Sequence, residues 1–151
     1  MEKLKRILLV EDDPHDVELT LAALEEFNLA NEVNVVYDGK NALDYLKRNG
    51  QYKLRLVGNP AVVLLDIKLP KLSGLDVLKE VKNDELLSNI PIVMLTSSRE
   101  ELDLEKAYKL GANAYVVKPV DFSEFMNAIK QIGLFWAVLN EYPLDSIGKV
   151  K

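Results

Sequence analysis

The sequence has 151 residues, 48% of them apolar, with a formal net charge of −5 and a pI near 5.0. That length suits one domain around a single core, and the acidic balance argues against nucleic acid as a direct partner. The absence of cysteine excludes a disulfide framework and thiolate chemistry and points to the cytoplasm. The leading apolar run, Ile7 to Val10, is too short for a signal peptide, and no stretch reaches the length of a membrane span.

The first strand is predicted at Arg6–Val10, its run Ile7–Val10 continuous in apolar character as expected for a strand covered on both faces. It runs directly into Glu11, Asp12 and Asp13, three carboxylates that repel one another unless a cation, a proton or solvent relieves them. Asp13 before Pro14 reads as a helix cap with proline at the first helical position, and Val17, Leu21 and Leu24 mark the inner face of that helix. His15, the only histidine, reads as a surface residue of the same helix. A strand at Glu32–Tyr37 and a helix faced by Ala42, Leu43 and Leu46 come next. The connection Asn49–Pro60 is longer than usual; with Tyr52, Leu54, Leu56 and Val57 it reads as a packed loop or equally as a partner-contact surface. Strands follow at Ala61–Asp66, Ile90–Leu95 and Asn113–Val117. Between them lie a helix faced by Leu75, Leu78 and Val81 and a more charged one, Arg99 to Leu110, which Gly111 stops. Strict alternation of five strands and helices predicts a doubly wound α/β domain, a parallel sheet with helices on both faces.

In the last helix Phe122, Phe125, Ile129, Ile132, Trp136 and Leu139 recur at steps of three and four, with Asp121 or Ser123 as cap. From Asp121 to Leu139 it would extend about 28 Å. Its end, "IGLFWAVL", is apolar nearly all round, Leu134, Phe135 and Val138 lying off the main stripe. Such a segment either folds back on its own domain or forms a subunit interface around Trp136 and Phe135.

In an open parallel sheet, ligands bind beyond the carboxyl ends of the strands where strand order reverses. The polar residues at those ends are Glu11, Asp12 and Asp13 after the first strand, Asp66 after the third, Thr96, Ser97 and Ser98 after the fourth, and Lys118 before Pro119 after the fifth. Carboxylates at this density suit a hard divalent cation, Mg²⁺ first. A lysine beside them favours an anion such as a phosphoryl group, and the Thr96 hydroxyl can donate to its oxygen. Each residue alone has an ordinary explanation, as a cap or a solvated side chain. Four strand ends coinciding at one edge is the informative fact.

The set "LLVEDDP", "VVLLDIKLPKLSGLDVL", "IPIVMLTSS" and "GANAYVVKPV" resembles the receiver domain of two-component response regulators, in order and spacing from about Lys5 to Ile132. The resemblance implies a flavodoxin-like five-stranded sheet of order 2-1-3-4-5. It implies a receiver domain over 4–140 with a tail at 141–151, leaving no room for a separate output domain. By the same likeness Asp66 is the phosphoacceptor, Asp12 binds Mg²⁺ directly, Glu11 acts through a water, and Asp66 and the backbone carbonyl of Lys68 complete the coordination. Lys118 pairs with the phosphoryl group, and its bond to Pro119 is often cis in such proteins. Thr96 and Tyr115 form the switch pair, while Pro70 and Gly74 shape the turn after Asp66. The donor is a phosphohistidine on a sensor histidine kinase or histidine phosphotransfer protein, and the protein catalyses only its own phosphorylation and dephosphorylation. Ser97 stands where the family often has alanine. Lys68 carries a long cation beside the site, its side chain expected in water.

The ending "FWAVLNEYPL", the extended connection before the third strand and the "LPK" after Asp66 are similar to stand-alone receivers associated with phytochrome kinases. That likeness implies a homodimer through the last helix and the neighbouring strand, with Ile132, Phe135, Trp136 and Leu139 as interface candidates, and a sensor kinase as donor, a phytochrome-type photoreceptor being one candidate. Two other readings compete. An aspartate-nucleophile phosphohydrolase needs a second acid two residues after its nucleophile, where "DIK" has Lys68. A pseudo-receiver would lack part of the set Asp12, Asp66, Thr96 and Lys118, which is complete.

Overall fold

A computed structural model of the chain describes residues 4–26, 28, 30–55, 58–97 and 101–131. The elements alternate without exception: β1 (Leu4–Val10), α1 (Pro14–Glu26), β2 (Ala30–Val36), α2 (Gly39–Lys47), β3 (Val62–Asp66), α3 (Gly74–Lys82), β4 (Ile92–Thr96), α4 (Glu101–Lys109), β5 (Ala114–Val117) and α5 (Phe122–Gln131). The strands form one parallel sheet in the order β2-β1-β3-β4-β5, the predicted arrangement. Strand bounds differ from the sequence-based ones by one or two residues at their ends. Ile90 lies outside β4 and Thr96 inside it, so the hydroxyl belongs to the strand end rather than to the following loop.

Short polar residues start the helices. Asp13 accepts from the amides of His15 at 2.8 Å and Asp16 at 3.4 Å, as a cap ahead of Pro14 should. Asp38 accepts from Asn41 N at 2.7 Å, Ser73 from Asp76 N at 3.2 Å and Asp121 from Glu124 N at 2.7 Å, opening α2, α3 and α5. Gly111 ends α4 region with φ at +108°, a conformation that L side chains rarely adopt.

The sheet divides the core into two. Ile7 and Leu9 of β1 and Val62 and Leu64 of β3 pack with Val17 and Leu24 of α1 and Phe125 and Ala128 of α5. Their neighbours Leu8, Val10, Val63 and Leu65 point to the other side, against Ala42, Tyr45 and Leu46 of α2, Val77, Leu78 and Val81 of α3, and Ala107 of α4. Each central strand therefore loses water from both faces, which is why it reads as an unbroken apolar run.

Several expected contacts differ. In α3 the buried stripe is Val77, Leu78 and Val81, with Leu75 only partly covered. Phe122, placed on the apolar stripe of α5, is exposed in its first turn; Phe125 is the buried anchor. The 49–60 connection contains a 3₁₀ turn, Gly50–Tyr52, and Leu54 stands in solvent at 93% exposure instead of packing. Tyr52 packs edge-on against the Tyr45 ring with centroids 5.2 Å apart, and Arg55 adds a second anchor. Its guanidinium lies 4.3 Å from the Tyr45 ring centroid and donates to the carbonyls of Tyr45 at 2.6 Å and Gly58 at 2.9 Å. Leu56 and Val57, the helix beyond Gln131, the interface candidates Ile132, Phe135, Trp136 and Leu139, and the 141–151 tail lie outside the described residues.

Candidate functional site

Strand order reverses between β1 and β3, and the register sets their ends level. Val10 pairs with Leu65, so Glu11 and Asp66 emerge side by side. Asp66 pairs with Leu95 and Thr96 with Val117, which brings the ends of β4 and β5 to the same edge. The Lys118 amide donates to the Thr96 carbonyl at 2.7 Å and fixes where the lysine leaves the sheet; its bond to Pro119 is cis. The turn after Asp66 is closed by Gly74, whose amide donates to the Ile67 carbonyl at 2.7 Å. A Cβ on Gly74 would collide with the backbone of Asp66 and Ile67, so only glycine allows α3 to start this close to the site.

The Lys118 ammonium is the hub. It contacts Asp16 Oδ2 at 2.9 Å, Glu11 Oε1 at 3.0 Å and Asp66 Oδ2 at 3.4 Å. Glu11 is fully buried and Asp66 nearly so, while Asp12 is exposed. Burial pushes the Glu11 carboxyl up from its ordinary 4.5 to about 7; the Lys118 hydrogen bond opposes the rise and the Asp66 charge adds to it. Burial likewise raises Asp66, against the pull of Lys118. For Lys118 burial acts downward, but its hydrogen bonds to Asp16 and Glu11 and the charge of Asp66 outweigh it and hold the lysine well above its usual range. One cation thus faces three acids in a site that cannot hydrate them all.

That imbalance fits a metal. Glu11, Asp12 and Asp66 each offer an oxygen within 4.8 Å of the others, a spacing suited to one divalent cation, and the carboxylates gathered on Lys118 outnumber its single charge. Beside them lies a small cavity of about 50 Å³, lined by Asp66, Ile67, Lys68, Thr96, Ser97, Asp103 and Lys118, room for a few waters or a small tetrahedral group. Thr96 is buried there; Ser97 and the Lys68 side chain are exposed at its mouth. Tyr115 sits apart on β5, half-buried, its ring edge-on to Tyr108 with centroids 6.2 Å apart. His15 is exposed on α1, as expected.

Two residues of the site escaped the sequence reading. Asp16 contacts Lys118 from the first turn of α1; its position four residues after Asp12 was the available hint. Asp103 lines the cavity from α4, and nothing in the spacing could have shown it, because the placement of α4 over the sheet edge is tertiary.

Fold and site together define a class: a doubly wound α/β module with acids and one lysine gathered beside a small cavity at the switch point. Residues 7–130 match the response regulator receiver domain family, and the chain belongs to it. The bacteriophytochrome response regulator RtBRR is similar at 62% identity, TM-score 0.82, over 93% of this chain and 84% of that one. AtBRR, another bacteriophytochrome response regulator, is 61% identical with TM-score 0.83, over 92% of this chain and 99% of that one. A phosphorylated cyanobacterial phytochrome response regulator, RcpA, is 38% identical with TM-score 0.73, over 89% and 94% of the two chains. The response regulator Rcp1 of Synechocystis sp. is 35% identical over 132 residues, 87% of this chain and 88% of its own, and its Mn²⁺-bound form aligns with TM-score 0.70. As a receiver domain, the chain is a phosphoacceptor of two-component signalling, which sets aside the phosphohydrolase reading.

Proposed function

We propose that Asp66 is the phosphoacceptor and that Lys118 is the residue that steadies the transferred group. The observation that carries this reading is the meeting of Asp66 and Glu11 on the Lys118 ammonium at the switch point. An Asp66 oxygen attacks the phosphorus of a phosphohistidine, a P–O bond forms, the P–N bond breaks, and the imidazole leaves with the bonding pair. Lys118 stabilises negative charge on the phosphoryl oxygens, and the rigid strand ends supply positioning. Glu11, Asp12, Asp66 and the backbone carbonyl of Lys68 would hold Mg²⁺, which when bound neutralises charge on the phosphoryl oxygens. The Thr96 hydroxyl, at the cavity wall, donates to a phosphoryl oxygen and draws inward. Tyr115 then leaves its edge-on contact with Tyr108 and turns in behind it, remodelling the α4–β5–α5 face as a population shift between two surfaces.

The likeness to RtBRR, AtBRR, RcpA and Rcp1 supports a sensor histidine kinase of phytochrome type, or a phosphotransfer protein charged by one, as the donor. The protein works in the cytoplasm, as a receiver over 4–140 with a tail at 141–151, and catalyses only its own phosphorylation and dephosphorylation. It acts as a homodimer joined through Ile132, Phe135, Trp136 and Leu139.

Incubation with acetyl phosphate and Mg²⁺, followed by mass spectrometry, tests the central assignment. The wild type should gain one phosphoryl group and Asp66→Asn none; a phosphorylated Asp66→Asn, or an unmodified wild type, refutes it. For the dimer, Trp136→Glu should halve the mass seen by light scattering. A wild type that is already monomeric would remove that proposal.

A further inference from the structure

Lys118 has three N–H donors, and each faces a carboxylate oxygen: Asp16 at 2.9 Å, Glu11 at 3.0 Å and Asp66 at 3.4 Å. An ammonium offers no fourth donor. A phosphoryl group on Asp66 takes over the donor that now faces Asp66 Oδ2, so Lys118 can engage a second phosphoryl oxygen only by releasing Asp16 or Glu11. The three acids differ in what release would cost them. Glu11 is fully buried and cannot exchange the lysine for water without moving, and Asp66 is itself the residue that becomes modified. Asp16 keeps 25% of its side chain exposed and can be rehydrated where it stands. Its contact is as short as that of Glu11 and shorter than that of Asp66, so it holds a full share of the resting ammonium.

We propose that Asp16 is a positioning residue that holds Lys118 in the resting state and is the contact the ammonium gives up when a phosphoryl group arrives on Asp66. The inference rests on the roles given to Asp66 and Lys118 above. Asp16 competes with the phosphoryl group for one donor, so its charge sets how tightly the site holds that group. The ordinary alternative is that Asp16 only complements the dipole at the start of α1. That role affects helix stability and leaves Lys118's choice of partner unchanged.

Calorimetric titration with beryllium trifluoride in Mg²⁺, a phosphoryl mimic with fluorines in place of oxygens, separates the two. Asp16→Ala and the near-isosteric Asp16→Asn should bind it about tenfold tighter than wild type, the scale of one charge-assisted hydrogen bond no longer competed for. The ¹⁹F resonance of the fluorine facing Lys118 should shift in both. Unchanged or weaker binding in the Asp16 variants overturns the proposal, whether or not their unfolding midpoint falls, and leaves the Asp66 assignment standing if Asp66→Asn fails to bind. A wild type that does not bind the mimic, or an Asp66→Asn that does, overturns the assignment and this proposal with it. Should Asp16→Ala fail to fold, Asp16→Asn decides.

Discussion

At the level of single residues, Glu11 concentrates the electrostatic problem of the site. It has no exposure, and burial raises its carboxyl to about 7 despite the hydrogen bond from Lys118. The folded, metal-free protein therefore binds this proton more tightly than the unfolded chain does. Stability from this group is present below about pH 4.5 and declines as pH rises towards 7, the reverse of an ordinary salt-bridged carboxylate. On the role proposed for Glu11, a bound cation favours its ionised form, so stabilisation by Mg²⁺ should be small at pH 5, grow towards pH 7 and then level off. Thermal unfolding with and without Mg²⁺ across this range measures it; an equal Mg²⁺ effect at pH 5 and pH 8 would contradict the assignment, and Glu11→Gln should flatten the curve. The crowding of acids was readable from "VEDD", and so was the cap at Asp13. Asp16 as a partner of Lys118 was not, because it depends on how α1 leaves the sheet.

Among the elements, caps and stops were the most legible features, because a cap is a contact between near neighbours in sequence. Asp13, Asp121 and Gly111 all act where local chemistry puts them. The 49–60 connection was the least legible. Its apolar residues suggested packing, which holds for Tyr52 against Tyr45 and fails for Leu54, and the further anchor is Arg55, whose partners on α2 and at Gly58 are found only once the loop has folded against that helix. Arg55→Ala removes the cation–π contact and at least two hydrogen bonds, a local loss of roughly 1–3 kcal/mol. The amides of Tyr52 and Lys53, which close the 3₁₀ turn onto Asn49 and Gly50, should then exchange hydrogen about ten- to a hundredfold faster with global stability little changed. Unaltered exchange at those two amides would show that the turn holds itself. Gly74→Ala is the opposite case. Its Cβ meets backbone that cannot give way, so overpacking should cost roughly 1–3 kcal/mol in urea unfolding and displace the turn beside Asp66.

Across the whole molecule, two half-cores share one sheet. Leu64 points to the α1 and α5 side and Leu65 to the α2, α3 and α4 side, both with no exposure. Leu64→Ala and Leu65→Ala should each cost about 2–5 kcal/mol, with the slope of the urea transition unchanged because both faces unfold together. A loss below about 1 kcal/mol for either would show that one face is not a true core. The sequence by itself determined the alternation of elements, the unbroken apolar central strands, and which polar residues stand at the strand ends, since these follow from local periodicity and from neighbours along the chain. Only the tertiary structure decided that Lys118 is shared among Glu11, Asp16 and Asp66, that Asp103 lines the cavity, and that Arg55 rather than Leu54 secures the long connection. Those contacts join residues far apart in the chain or on different elements. Their partners are set by the sheet register and by how each helix crosses the sheet, quantities that no local pattern encodes.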